Sequence, residues 1–291
     1  MQTVRIPDDI AQTLVSSPAY ASEAIHDAYR WLRANNPLGV AQVEGFDPFW
    51  VVTKHADILE ISRNNARFPS AVRSTTLTSQ SGEARARAIT GTPHLVRSLV
   101  QMDEPDHMKY RLLTQAWFMP ANVKKREDDI RALAQQAVAD FAALPGQCDF
   151  VKDVALHYPL RVVMNVLGVP EADLPRMLRL TQELFGATDP DTQRFQAALT
   201  NEQYLQLMLA VLQDFTEFFE TITLDRRANP RDDLATLLAN AEVDSAPLPP
   251  FERTGYFTII ATAGHDTTSS STASAMWALA TVPGLLERVR A

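Results

Sequence analysis

Cysteine is almost missing from this chain: Cys148 is the only one in 291 residues. A disulfide framework is therefore excluded, and a reducing compartment, the cytoplasm, is the expected setting. Glycine is scarce too, at ten residues, and no two glycines stand one residue apart. No GxGxxG dinucleotide fingerprint can exist without such a pair, and no glycines frame a Walker-type phosphate loop. HExxH, CxxC and GxSxG are absent as well. Positive charge is in deficit, with 27 basic against 35 acidic residues and a formal net charge of −8. That balance, without any basic tract, argues against nucleic acid as a partner. No stretch nears the roughly 20 apolar residues of a membrane span, and the first fifteen residues lack the apolar core of a secretory signal, so no membrane association is expected.

What is present reads as helices punctuated by prolines. One exception is an early pair of β-prone runs, 38–43 and 48–53, around Glu44-Gly45-Phe46-Asp47, which predicts a hairpin. Residues 70–100 show no sustained periodicity. They read as a mobile, substrate-covering lid with one short helix around 83–89, plain disorder being the alternative. A helix is expected after Pro105, with Asp103 or Glu104 as its cap. Ile130, Leu133, Ala134, Ala137, Val138 and Phe141 mark the apolar face of another, closed by Pro145-Gly146. Leu160, Val163, Met164 and Leu167 mark a third, with Gly168 placed to end it. Leu205 to Ile222 predicts a long amphipathic helix, and 251–281 a long apolar central one. No repeat or Gly/Ser linker interrupts the chain, so a single mainly α domain over 1–291 is expected.

The centre of the last helix is chemically unusual. Ala263-Gly264-His265-Asp266-Thr267-Thr268 opens a run of six consecutive hydroxyl residues inside an otherwise apolar segment. Glycine, serine, threonine and aspartate are poor choices for a helix interior, so a local distortion is expected, with a threonine hydroxyl bonding a carbonyl one turn back. The missing side chain at Gly264 would admit a flat ligand, and Asp266 and Thr267 would put a carboxylate and a hydroxyl beside it. A polar seam against another helix is the alternative. Earlier in the chain His107 and Arg111, four apart, share one helix face and would repel mildly unless an anion lay between them; an ordinary solvated pair is the alternative.

These residues resemble the cytochrome P-450 monooxygenases. Ala263 to Thr268 is similar to the family's oxygen-activation motif, [AG]Gx[DE]T[TS]. His107 and Arg111 are similar to its HxxxR segment, which holds the haem propionates, and Phe118-Met119-Pro120 continues that pattern. Trp50 to Ile58 resembles the family's strand-to-helix entry, and Leu167-Gly168-Val169-Pro170 its LGVP helix end. Arg226-Arg227-Ala228-Asn229-Pro230-Arg231-Asp232-Asp233-Leu234 matches its RRxxPxDDL turn. The overall pattern, with Glu44-Gly45-Phe46-Asp47-Pro48, is most like the soluble bacterial α-terpineol monooxygenases.

The resemblance implies a mainly α cytochrome P-450 fold with a small β region and its C-terminal part missing. Neither the family's ExxR pair nor its glycine-rich cysteine loop can be assigned; Glu60/Arg63 and Glu287/Arg290 have the spacing but the wrong place. Cys148 lies in no such loop and reads as structural, so no metal ligand is assigned within the chain. Haem b is the implied cofactor, with its iron-ligating cysteine expected beyond Ala291. Asp266 would relay protons, Thr267 would hydrogen-bond activated oxygen, Ala263 and Gly264 would give oxygen its space, and His107 and Arg111 would clamp the propionates. The implied reaction is hydroxylation of a small apolar substrate, a monoterpenoid or aromatic, by O2. Electrons would come from a ferredoxin and its NAD(P)H-dependent reductase. The competing reading is a haem-free, catalytically dead fragment that binds apolar ligands or a partner. On that ending, residues 1–291 alone are expected to show no thiolate signature with haemin.

Overall fold

The computed structural model describes residues 4–186 and 201–291. Two compact units divide the chain, Met1–His107 and Met108–Ala291.

The first unit begins with α1 (Asp8–Val15), α2 (Ser17–Tyr20) and α3 (Ala24–Asn35). The expected hairpin follows as β1 (Leu38–Ala41) and β2 (Phe49–Val52), antiparallel, in a register running from Leu38 opposite Val52 to Ala41 opposite Phe49. Gly45 supplies the positive φ its turn needs. Ile6 donates to Val40 O at 2.9 Å, which brings the N-terminal segment alongside β1. Ile6, Leu14, Ile25, Leu32, Ala41 and Val43 close over one another as this unit's own core. After α4 (His55–Ser62) comes the aperiodic segment, which contains α5 (Gln80–Thr90). The helix expected around 83–89 is thus longer by about a turn. Ser79 caps its start by accepting from Gly82 N, and Gly91, at φ 75°, ends it.

Polar bonds hold the rest of 70–100 in place, a feature periodicity does not reveal. The two oxygens of Asp103 accept the Ser70 and Ala71 N–H groups at 2.8 Å each. Arg73 reaches both Glu83 and Asp47, Arg87 donates to Val72 O at 2.8 Å, and Gln80 N donates to Gly45 O at 2.8 Å.

The boundary between the units falls inside α6 (Asp106–Gln115), so His107 belongs to the first and Arg111 to the second. The second unit continues through α7 (Pro120–Lys124), α8 (Glu127–Ala143), a π-helical turn (Val151–Ala155), α9 (His157–Leu167), α10 (Leu174–Phe185), α11 (Asn201–Ala228) and α12 (Leu234–Ala239). A minimal antiparallel pair, β3 (Glu242–Val243) and β4 (Ala246–Pro247), precedes α13 (Pro250–Ala263), α14 (Asp266–Thr281) and α15 (Leu285–Arg290). Phe219 of α11 stacks on Phe257 of α13 at 4.7 Å between ring centres and on Phe215 at 6.0 Å. Leu160, Met164, Met177 and Leu180 complete this core, each less than 2% exposed. Burying such a side chain contributes roughly 1.5–3 kcal/mol, and these contacts make α13 the axis of the unit.

Other apolar surface in this unit stays open. Trp277 is 68% exposed, and Ile259, Ile260 and Met276 are only partly covered. No residue of α8 is buried, although its apolar face has the expected spacing. No described helix is long and apolar enough to cross a membrane.

Candidate functional site

The central segment breaks where its composition predicts. Helix α13 stops at Ala263 and α14 starts at Asp266, so 251–281 is two helices joined at Gly264-His265. The N–H groups of Gly264 and His265 both turn to the Thr262 carbonyl, out of step with the regular helical ladder. The Thr267 hydroxyl donates to Ala263 O at 2.7 Å, which is the expected bond one turn back. With its hydrogen engaged there, Thr267 Oγ1 presents acceptor lone pairs outward.

The polar residues around the break divide between two opposite faces. Thr258, Thr262, His265 and Ser269 form a buried seam, each under 5% exposed. Thr262 donates to Thr258 O at 2.7 Å and Ser269 Oγ to His265 O at 2.9 Å. Ala263, Thr267 and Ser271 lie on the other, exposed side. Asp266 is half-buried in the first turn of α14, where a negative charge suits the helix dipole.

Gly264 serves a different contact from the one its position suggests. A Cβ there would stand 2.7 Å from Val163 Cγ2, so the missing side chain makes room for α9 rather than for a flat ligand. The open approach to the break lies along Ala263 and Thr267.

His265, in the motif's variable position, is wholly buried. Its Nε2 is 2.9 Å from Leu156 O, and because a carbonyl only accepts, Nε2 carries the hydrogen. Nδ1 is 3.2 Å from the Thr181 hydroxyl of α10, which is also 3.0 Å from Leu178 O. Burial pushes the His265 pKa down, against a smaller opposing effect of the Leu156 bond. His94, in the first unit, is lowered for the same reason while its Nε2 meets Ala71 O at 3.3 Å. The unfolded chain therefore takes up protons first as the pH falls below the ordinary histidine value of about 6.5. The stability held by a neutral buried ring is complete above that value and is lost as the pH drops toward the folded pKa. Thermal melts from neutral pH downward should accordingly fall less steeply in His265→Gln than in the parent; equal slopes would remove His265 from the account.

Arg111 is exposed on α6 and, among the described residues, pairs with no carboxylate. His107 is half-buried and directs Nδ1 toward Glu104 Oε1 at 3.5 Å. Sequence patterns did not reveal what anchors Arg111. Tyr256 of α13, 1% exposed, donates to Tyr110 O at 3.0 Å and lies 2.8 Å from Thr114 Oγ1. Two bonds thus pin the turn of α6 that carries Arg111 to the central helix. Burial raises the Tyr256 pKa and the nearby Arg111 charge opposes the shift.

Cys148 is exposed, and no cluster of three metal-ligating side chains exists among the described residues. The chain's own groups do suit an anionic, flat prosthetic group: an arginine with no carboxylate partner among the described residues, on a pinned helix, and a helix face of small residues beside a break. That fit is to the group's carboxylates and its face, not to a metal it carries.

No protein-family model matches the chain. Among known proteins it is similar to Cytochrome P450-terp from a Pseudomonas species, 43% identical over 281 residues, 96% of this chain and 66% of that one. It is also similar to a Steroid C26-monooxygenase of Mycolicibacterium smegmatis, 29% identical over 268 residues, 90% of this chain and 56% of that one. Two solved structures share the architecture. CYP108D1 from Novosphingobium aromaticivorans superposes with a TM-score of 0.85 at 39% identity, over 98% of this chain and 67% of that one. The Mycobacterium marinum cytochrome P450 CYP268A2, in complex with pseudoionone, gives 0.81 at 28% identity with the same coverage. The chain thus spans about two thirds, or less, of the length of these relatives.

Proposed function

The chain belongs to the cytochrome P450 family, and from that premise we propose that it carries the oxygen-activating part of a haem-dependent monooxygenase. The substrate is a small apolar molecule, a monoterpenoid or an aromatic, and electrons arrive from a ferredoxin and its NAD(P)H-dependent reductase. Likeness to Cytochrome P450-terp at 43% identity favours the terpene class. The observation that carries the reading is the broken central helix, with Ala263 and Thr267 on its open face and the Thr267 hydroxyl turned back to Ala263 O.

Haem b, taking its thiolate from sequence outside these 291 residues, supplies the dioxygen and electron-transfer chemistry. Overall, one oxygen atom enters a C–H bond and the other leaves as water, at the cost of two electrons and two protons. The protein's share is placement and proton supply. Arg111 and His107 would hold the propionates, Arg111 from the turn that Tyr256 pins. Ala263, exposed and carrying only a methyl, would leave space for oxygen. Gly264 lets α9 approach and so sets the break. Asp266 passes protons inward from solvent, and Thr267 Oγ1 accepts a hydrogen bond beside the reacting oxygen.

The test is spectroscopic and chemical. Haem-loaded protein with its thiolate segment should show the long-wavelength Soret band in its reduced carbonyl complex and should turn over a monoterpenoid with NAD(P)H; a carbonyl complex without that band overturns the reading. The propionate clamp has a separate check. Charge-assisted hydrogen bonds contribute roughly 1.5–3 kcal/mol each, so Arg111→Ala should speed haem loss about tenfold or more. Lys124→Ala, exposed at the end of α7, should leave the rate unchanged. Equal rates in the two variants exclude Arg111 from the clamp.

A further inference from the structure

Three contacts converge on the helix break from outside the central helix. Val163 of α9 lies against Gly264, Leu156 O takes the His265 Nε2 hydrogen, and Thr181 of α10 meets Nδ1. Two of the three act through one imidazole that solvent does not touch. The His265 carbonyl is also the first acceptor of α14, taking Ser269 N at 2.9 Å and Ser269 Oγ at 2.9 Å. The rotational setting of α14 is therefore handed on from this residue. Rotation matters because neighbouring helix residues differ by about 100° around the axis. A turn of part of that angle would carry Thr267 away from the middle of the open face.

We propose that His265 is a positioning residue for the oxygen chemistry: its two ring nitrogens, held by Leu156 O and the Thr181 hydroxyl, set the angle at which α14 presents Asp266 and Thr267. The inference deepens the monooxygenase reading and rests on it for its consequence in turnover, but the positioning itself is a property of this chain's own bonds. A carboxamide of glutamine length can replace the Nε2 hydrogen bond. A phenyl ring keeps the volume and replaces neither bond. Size and hydrogen bonding are thereby separated at one site.

The experiment compares the parent, His265→Phe, His265→Gln and Thr181→Val by hydrogen exchange of the 264–268 amides and by product formed per NAD(P)H in the haem-loaded enzyme. Loss of buried hydrogen bonds predicts about tenfold faster exchange of those amides in His265→Phe. Product per NAD(P)H should fall severalfold, with haem content, the carbonyl band and the substrate KM little changed. Glutamine should recover most of both losses, and Thr181→Val, which removes one anchor, should show a smaller change of the same sign. A folded His265→Phe with unchanged exchange overturns the proposal, and so does a glutamine variant no better than phenylalanine. If His265→Phe does not fold, Thr181→Val decides: unchanged exchange there overturns the proposal and faster exchange supports it. A parent lacking the carbonyl band overturns the monooxygenase reading instead, and the exchange comparison still decides whether His265 positions the break.

Discussion

Arg226→Ala is expected to lower the melting temperature of the second unit by about 10 °C, on a loss of roughly 3–5 kcal/mol at about 2–4 °C per kcal/mol. Arg226 is 2% exposed near the end of α11. Its Nε donates to Asp233 Oδ2 at 2.7 Å, its second amino group donates to Gly168 O at 2.5 Å, and it also pairs with Asp225. Asp233 is itself buried and caps α12, accepting Thr236 N and Thr236 Oγ1 at 2.8 Å each. Removing the guanidinium strands that carboxylate and leaves the carbonyl of Gly168, just past the end of α9, without its donor, so three helix ends lose their common tie. The loss is large against a typical total of about 5–15 kcal/mol. Arg227→Ala provides the contrast: Arg227 is exposed and, among the described residues, gives one bond, to Ala239 O at 2.9 Å. Its loss should stay within about 1 kcal/mol. Thermal melts of the two variants that coincide would show that the buried network does not hold the helix ends.

The same network explains why some of the fold was legible in the sequence and some was not. Arg226 to Leu234 was recognisable as a motif, and Gly168 as a helix stop, because each is written in consecutive residues. Their contact is not. Gly168 has φ 87°, and a Cβ there would stand 2.2 Å from Asp233 Oδ2, a constraint between positions 65 apart that no local pattern encodes. Helix spans followed from apolar spacing and proline placement, and the hairpin from its turn residues. Coverage did not: α8 repeats apolar residues at helical spacing, yet none of them is buried. Periodicity says which side of a helix is apolar, and only the tertiary structure says whether anything packs on it. At the candidate site the chemistry-bearing residues were visible as a motif. Their division into a buried seam and an open face was not, because it depends on Leu156, Val163 and Thr181, which lie far away in sequence. Tyr256 likewise looks like one more apolar residue until its hydroxyl is found on Tyr110 O.

Thr267→Val is expected to uncouple oxygen consumption from hydroxylation without dismantling the site. Valine has threonine's shape, so the open face beside Ala263 keeps its width, and the contacts that make the break, Val163 against Gly264 and the His265 anchors, are untouched. What disappears is the oxygen that donates to Ala263 O at 2.7 Å and turns its lone pairs outward. A hydrogen bond supplied next to the reacting atoms steers where protons go, and positioned proton-handling groups are typically worth about 10²–10⁴ in rate. Even a small part of that effect, spent on choosing between two outcomes, changes their ratio by about tenfold. Haem content and substrate-induced spectral change should therefore match the parent, while product per NAD(P)H falls about tenfold and the missing electrons appear as hydrogen peroxide. Thr267→Ser, which keeps the hydroxyl and loses only a methyl, should recover most of the coupling. If valine couples as well as threonine, the hydroxyl is only a helix-bending group and the proton path must be sought at Asp266 alone; if serine fails along with valine, the methyl and not the hydrogen bond is what the site requires.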